Sequence, residues 1–554
     1  MARVTKSLLA VALVTVACGC RPGGNGGPAP VTSVTAAAPV GVCFENVAKE
    51  AGLRYEWKPS GNPPYGILQT IGNGAAFLDI NGDRNLDLLL VGPHPALFQG
   101  DGKGHFVDIT VSSGLSKIAG HFLGCATGDV NNDGQTDIYL TGYREGRLLI
   151  NRGGTLTDAS TRSGLSPQPW GTSAAFADVD NDGDLDLYVG NYAVFGPTTS
   201  PQLCVANGVK TSCGPREYEP IKGTLYEGDG TGKFRDITRK WNALDISGKT
   251  LGVAFADYDN SGRPSLYLAN DEMPGDLLRN TGMKFETVGA VAGVAYDSSG
   301  NLHGGMGTDW GDFDNDGKLD LFVATFQNEV KNVYHNDDGV TFTDRAMSLG
   351  MSAAVPMVAF GSKFVDFDND GLLDICIANG HVQDNIAVID KSMTFRQPIQ
   401  LFRNAGSAGY TDMSLSLGDV TKRTIVGRGL ATGDYDNDGK VDILAVDSVG
   451  KPVLLHNQVP TAHSWIGFMV SQPAGLRDAT GTKITIRAGT DSLTRFVHTD
   501  GSYMSASDPR VHVGLGSRSA IDSVVVVWPD KKTDTYSNLG LNRYWRVSRG
   551  SPPR

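Results

Sequence analysis

The chain has 554 residues, 40% of them hydrophobic and 19% charged, with 71 Gly, 26 Pro and a formal net charge of -12. This length and composition support a large buried core, and an acidic balance without a Lys/Arg-rich stripe removes the electrostatic basis for binding nucleic acid or an anionic lipid surface. High Gly with modest charge suits a repetitive all-β architecture.

At the N-terminus, Arg3 and Lys6 precede an apolar run from Leu8 to Val14, followed by small residues ending in Cys18-Gly19-Cys20. The run is too short to span a bilayer, which predicts a cleavable export signal over residues 1–20. Ala17-Cys18-Gly19-Cys20 resembles the lipobox of bacterial lipoproteins, although the residue three before the cysteine is not the usual Leu. That resemblance implies lipidation at Cys20, with simple secretion as the alternative; the protein is then an envelope lipoprotein or secreted, and meets a membrane only through such an anchor. Residues 21–40, rich in Gly, Pro, Ser and Thr, read as a flexible linker.

An acidic nine-residue motif recurs seven times. In chain order its oxygen-bearing residues are Asp79, Asn81, Asp83 and Asp87; Asp129, Asn131, Asp133 and Asp137; Asp178, Asp180, Asp182 and Asp186; Asp257 and Asp259, with Ser261 and Ser265 in the remaining places; Asp312, Asp314, Asp316 and Asp320; Asp366, Asp368, Asp370 and Asp374; and Asp434, Asp436, Asp438 and Asp442. Carboxylates at positions 1, 3 and 5 converge on one point, a Gly at 6 permits the sharp turn, and the carbonyl at 7 with the Asp at 9 completes a hard oxygen shell. Such a shell favours calcium, and up to seven ions are expected. Position 12, where a helix-flanked calcium hand needs Glu, is apolar in every copy (Leu90, Leu140, Val189, Leu268, Val323, Ile377, Ala445), so these loops join strands. The fourth copy is the weakest, and the first is weakened by Arg84 in the Gly position.

Each loop is preceded by a strand of small residues and followed by about three more β segments, giving four strands per unit. Seven such units predict a seven-bladed β-propeller over residues 41–459. The last unit lacks its outer strand, and Phe44-Glu45-Asn46 supplies it, closing the ring. The small-residue strands suit a crowded central channel. The extra length between the third and fourth loops, about residues 191–223, reads as an excursion stapled by a Cys204–Cys213 disulfide, whereas Cys125 and Cys376 sit in apolar strands as buried residues. These units resemble the FG-GAP (VCBS-type) repeats of integrin α-chain propellers and their bacterial relatives, a resemblance that implies calcium loops on one face of the disc.

From residue 460 to 548 the aspartate loops stop and short strands predict a small antiparallel β domain. His463-Ser464-Trp465-Ile466, Gly501-Ser502-Tyr503-Met504-Ser505, Val511-His512-Val513-Gly514 and Val527-Trp528-Pro529-Asp530 resemble an ASPIC/UnbV domain, with Thr480 and Lys531 as departures. FG-GAP repeats followed by that domain resemble the cartilage acidic protein family, in particular bacterial exported members. His303, His381, Asp478, His498, Tyr503 and His512 are the polar candidates for chemistry, but no recognised catalytic motif is present and Tyr503, His381 and His512 read as packing or turn residues. The sequence therefore predicts a calcium-binding propeller acting as a binding, adhesion or scaffold protein for an extracellular protein or glycan, without catalytic residues. The alternative is a polysaccharide-active lyase or hydrolase, marked by a His/Arg/Tyr cluster converging on one cleft.

Overall fold

In the computed structural model the described residues are 43–554 except 199, 417, 419–422 and 473–478. The expected export signal over residues 1–20, with Cys20, the expected linker over 21–40 and Asp478 lie outside them.

The fold is all-β, and residues 43–457 form a β-propeller. Seven four-stranded antiparallel sheets follow one another along this part of the chain. The first contains Ala75–Leu78, Asp87–Leu90, Ala96–Gly100 and Phe106–Asp108. The inner strands of the other six are Phe122–Gly128, Gly171–Ala177, Thr250–Ala256, Thr308–Gly311, Ala359–Val365 and Gly427–Gly433. Each inner strand touches the next, and the seventh touches the first. Phe44–Asn46 pairs antiparallel with Val453–Asn457, Phe44 opposite Asn457, and supplies the outer strand of the seventh sheet as its sequence predicts.

The strands read as nearly continuous apolar runs because both faces of each sheet are covered. Ala75, Phe77, Leu88 and Leu90 pack toward the seventh sheet with Ala431, Leu444 and Leu454. Their alternating neighbours Ala76, Leu78 and Leu89 pack toward the second sheet with Cys125, Ile138 and Leu140. Five further clusters fill the remaining gaps between adjacent sheets. The core is thus a ring of seven apolar layers, and Cys125 and Cys376 are buried thiols within it.

Beyond the propeller, Val511–Gly516, Ser464–Ser471 and Tyr544–Ser548 form one sheet, while Asp491–Phe496, Lys483–Ala488, Ser523–Val527 and Thr533–Tyr536 form another. Their inner faces share a core that includes Ile466, Ile484, Val513, Val526 and Trp528. One pair departs from the antiparallel expectation: Tyr544–Ser548 runs parallel to Ser464–Ser471. A parallel pair needs a long crossover, and the whole domain lies between these two strands.

Residues 499–508 of this second region enter the propeller and hydrogen-bond to the inner strand of every sheet. Ala75 N donates to Ser505 Oγ (3.1 Å), Cys125 N to the Met504 carbonyl (3.2 Å), Met504 N to Ser173 Oγ (2.8 Å) and Phe255 N to Asp500 Oδ2 (2.7 Å). Thr308 and Ser502 exchange backbone hydrogen bonds, Ser362 N donates to Ser502 Oγ (3.2 Å), and Thr432 N donates to Ser507 Oγ (3.2 Å). Register shifts near the start of five inner strands, such as that between Phe122 and Gly124, free backbone groups that this plug satisfies. Small residues line the channel because the plug backbone fills it: a Cβ on Gly74 or Gly124 would collide with Met504.

Candidate metal centre

Each inner strand runs from one mouth of the channel to an aspartate loop, so all seven loops gather on one face. Their shape comes from two left-handed residues. Position 4 is Asn132, Asn181, Asn260, Asn315, Asn369 or Asn437, all at φ between 53° and 61°, or Gly82 in the first loop; position 6 is Gly except for Arg84, which is held at φ 76°. Asn tolerates this region and Gly enters it freely, which is why the motif carries them there.

The first Asp of each loop folds it: its Oδ2 accepts from the position-6 N–H, as in Gly134 to Asp129 (2.7 Å) and Gly439 to Asp434 (3.0 Å). The last Asp plays a different part from positions 1, 3 and 5. Asp320 Oδ2 accepts from Phe313 N (3.1 Å) and its Oδ1 from Asn336 N (2.8 Å), clasping the loop to the third strand. Asp87, Asp137, Asp186, Asp374 and Asp442 do the same. In the fourth loop Ser265 Oγ takes this role by accepting from Asn280 N (3.0 Å).

Burial pushes these carboxyls upward, and it outweighs the opposing pull of Arg495 on Asp312 and Asp366, of Arg510 and Tyr544 on Asp434 and of His456 on Asp442. Asp178, Asp312 and Asp434 rise to about 7 and Asp366 and Asp442 to about 8, each chiefly by desolvation. Carboxylates from three loop positions approach closely in Asp178/Asp180/Asp186, Asp312/Asp314/Asp316 and Asp366/Asp368/Asp374, with ligand atoms within 4.8 Å of one another. The donor set, oxygen-rich and acidic, fits a hard divalent cation. A sharper sign is that Asp312 Oδ1 and Asp434 Oδ1 are buried with no hydrogen-bond partner. A buried, unsatisfied carboxylate oxygen is costly, and a cation is the partner that removes the cost. The clusters could therefore hold metal ions.

The sixth loop differs in a way its sequence conceals. Arg403, from the third strand, places Nε 2.6 Å from Asp368 Oδ2 and Nη2 3.0 Å from Asp370 Oδ2, a tethered cation among the loop carboxylates.

Two sets of asparagines outside the metal-ligand pattern hold the loops in place. Asn151, Asn280, Asn336, Asn404 and Asn457 each donate from Nδ2 to the carbonyl of loop position 2 in the preceding unit, for example Asn151 to Ile80 (2.7 Å). The position-4 asparagines of loops four to seven receive the second region: Lys483 Nζ donates to Asn260 Oδ1 (2.7 Å), Arg495 Nη1 to Asn315 (3.4 Å), His512 Nε2 meets Asn369 (2.7 Å) and Arg510 Nη1 donates to Asn437 (2.7 Å). Their recurrence at a fixed loop position was the available signal.

The opposite mouth holds a cavity of about 220 Å³ lined by Ile71, Tyr192, Asp271, Met306, Phe360 and Tyr503. A cluster of His, Arg and Tyr does converge there, but each group is occupied. Arg428 donates to the carbonyls of Thr70, Gly380, Gly427 and His381 and lies over the Phe360 ring. Tyr503 donates to the Ile71 carbonyl, Tyr192 to Asp271 Oδ2 (2.6 Å), and His381 is held between Gln327 Oε1 and the Gln383 N–H. His512 and His498 lie elsewhere, His512 half-buried against Asn369 of the sixth loop and His498 on Asp500. Beside the cavity, the excursion forms a hairpin, Cys204–Ala206 with Val209–Thr211, and Cys204 and Cys213 are joined by a disulfide.

Comparison with known families matches the FG-GAP-like repeat over residues 79–140, 129–189, 312–377 and 366–445, and the ASPIC and UnbV family over residues 472–553. The chain is an FG-GAP repeat protein with a C-terminal ASPIC/UnbV domain. It is homologous to cartilage acidic protein 1 across most of its length. The Xenopus tropicalis protein of that name is 29% identical over 84% of this chain and 71% of its own, and the human protein is 23% identical over 83% and 69%. Among solved structures, an Agrocybe aegerita lectin that recognises non-reducing terminal N-acetylglucosamine is 13% identical, covering 70% of this chain and 94% of its own with a TM-score of 0.40. In this FG-GAP protein the ASPIC/UnbV domain covers the aspartate-loop face, and its plug closes the channel from that side. No helix among the described residues is long and apolar enough to cross a membrane.

Proposed function

We propose that this is an exported, calcium-binding propeller that serves as a binding or scaffold protein for an extracellular protein or glycan. The reading is carried by the state of the channel mouth: the Arg, His and Tyr side chains suited to chemistry there hydrogen-bond to the fold, so the face presents shape and a rim rather than reacting groups. The FG-GAP fold and the likeness to cartilage acidic protein 1 support the same reading. Calcium is held by the aspartates at positions 1, 3 and 5 with the carbonyl at 7, and its work is to neutralise buried carboxylates and brace the loops on which the ASPIC/UnbV domain rests. Partners then meet the opposite face, where the disulfide-stapled excursion borders the 220 Å³ cavity.

The test applies residues 21–554 to immobilised glycans and extracellular proteins, with calcium and with chelator. Saturable binding lost when Tyr192 or Met306 is replaced by a charged residue supports the proposal. Depolymerisation of a polysaccharide, with activity lost in Asp271→Asn, would instead establish the lyase or hydrolase alternative.

A further inference from the structure

Loops five and seven combine three features that occur together in no other loop. The first is a histidine. On the third strand of each sheet, the residue before the one paired with the outer-strand aromatic or Leu is Gln99, Ile150, Glu227, Arg279, His335, Arg403 or His456. Arg403 shows that this position faces the loop. His335 Nδ1 lies 3.1 Å from Asp320 Oδ1 with Nε2 3.8 Å from Asp314 Oδ2, and His456 Nδ1 lies 3.3 Å from Asp442 Oδ1 and 3.5 Å from Asp436 Oδ2. Each histidine and its two aspartates keep their ligand atoms within 4.8 Å of one another.

The second feature is the open oxygen. In loops one, two, three and six the first Asp uses Oδ1 to accept from the position-5 N–H. That N–H also donates to the position-3 side chain in every loop, and in loops five and seven this is the bond that remains, Asp316 N to Asp314 and Asp438 N to Asp436, both at 3.3 Å, while in loop four the Ser261 hydroxyl donates to Asp257 Oδ1. Asp312 Oδ1 and Asp434 Oδ1 are left without a partner, on side chains whose residues are each 1% exposed.

The third concerns position 5. Lys318 pairs with Asp316 Oδ2, and Lys440 lies 3.5 Å from Asp438 Oδ2. These lysines offset the charge of a carboxylate that an all-oxygen calcium shell needs. What remains in each loop is three carboxylates, at positions 1, 3 and 9, and one imidazole.

We infer that loops five and seven are mixed nitrogen and oxygen sites for a divalent transition ion of the zinc or cobalt class: Asp312, Asp314, Asp320 and His335 in one, Asp434, Asp436, Asp442 and His456 in the other. Calcium takes six to eight oxygens and gains little from an imidazole, whereas zinc takes four ligands, nitrogen at ~2.0 Å and carboxylate oxygen at ~2.1 Å. An imidazole also raises affinity for later first-row ions over alkaline earths. Asp314 is exposed and Asp436 half-buried, so an ion enters from the solvent edge of the loop. The inference rests on the reading that the loops hold cations, but not on calcium being the ion in the other five.

The experiment uses residues 21–554, stripped with chelator and dialysed into excess calcium with a small amount of cobalt. Cobalt and calcium are counted in the same sample, and the visible cobalt bands are recorded. Retention of about two cobalt ions per chain is expected, falling by one in H335Q, by one in H456Q and to none in the double variant. An unchanged calcium-dependent melt shows that the variants fold. Displacement of all cobalt by calcium, or undiminished cobalt in the double variant, overturns the inference while leaving the calcium reading intact. Cobalt bound through the histidines with no calcium in any sample upholds it and overturns the calcium reading.

Discussion

The hydroxyl of Tyr503 donates to the carbonyl of Ile71 at 2.8 Å, joining residues 432 positions apart in the chain. Tyr503 belongs to the ASPIC/UnbV region, Ile71 to the segment that leads into the first inner strand, and the bond forms at the mouth away from the aspartate loops. The C-terminal domain is therefore bolted through the disc. Tyr503→Phe, which leaves the Ile71 carbonyl short of a donor, should cost about 1 kcal/mol, and Tyr503→Ala about 3 to 5 kcal/mol. Gly74→Ala should cost more than Tyr503→Phe, because it forces Met504 out of the channel. Denaturant unfolding measures all three. Separate melting of the two regions in Gly74→Ala would show that the plug had been expelled.

A buried ion pair braces the same plug. Lys363 Nζ sits 2.6 Å from Asp309 Oδ1 and 3.0 Å from the Asp500 carbonyl, with Asp309 and Lys363 1% and 3% exposed. Lys363→Met leaves a buried carboxylate unpaired and should cost about 3 to 5 kcal/mol, whereas adding Asp309→Asn should recover part of the loss. A double-mutant cycle by chemical unfolding decides it.

Removing metal should lower the melting temperature. A site saturated at a hundred times its dissociation constant contributes about 2.7 kcal/mol, so several sites give a large chelator effect. Asp434→Asn should reduce that effect and Asp257→Asn change it least. Arg403→Gln, which takes the tethered cation out of the sixth loop, should raise the calcium count by one ion. A metal count on dialysed protein checks each variant.

Histidine burial sets an acid limit. Desolvation lowers His303 and His381 to about 4, against an ordinary value of 6.5. Unfolded chains take up these protons below pH 6.5 and the native protein does not until about pH 4, so stability is full above pH 6.5 and falls as pH drops through that window. At pH 5 each group accounts for about 2 kcal/mol of lost stability. His381→Gln should remove its share of the difference between unfolding free energies at pH 7.5 and pH 5, both measured at one calcium concentration.

Arg84 holds a left-handed conformation that the other six loops give to Gly. Arg84→Gly relieves about 1 kcal/mol of backbone strain against a smaller entropic loss, and should raise stability by about 0.5 kcal/mol. A reduced stability would show that the Arg84 side chain makes a contact worth more than the strain.

Much of the architecture was legible because it depends on local chemistry. The alternation of Asp at positions 1, 3 and 5, the left-handed Gly at 6 and the apolar strand that follows are decided within ten residues, and repetition made them unmistakable. Closure by Phe44 was legible because one outer strand was missing and one spare existed. Tyr503 and His512 could be read as packing residues, but where they pack could not. The dual role of the last aspartate, clasping the third strand, and the filling of the sixth loop by Arg403 were hidden, since both depend on how strands pair: the clasp spans from 13 residues in Asp87 to Gly100 to 42 in Asp186 to Gly228, and Arg403 lies 35 residues from Asp368.

By itself, then, the sequence determined the strands, the loops and their order, because turn geometry and the two-residue alternation of strands act on neighbours in the chain. Only the tertiary structure decided that residues 499–508 occupy the channel, that Lys483, Arg495, His512 and Arg510 dock on four loop asparagines, and that His335 and His456 join two of the loops. Those contacts are set by which way a side chain points once seven sheets have closed into a ring, and no single strand carries that information.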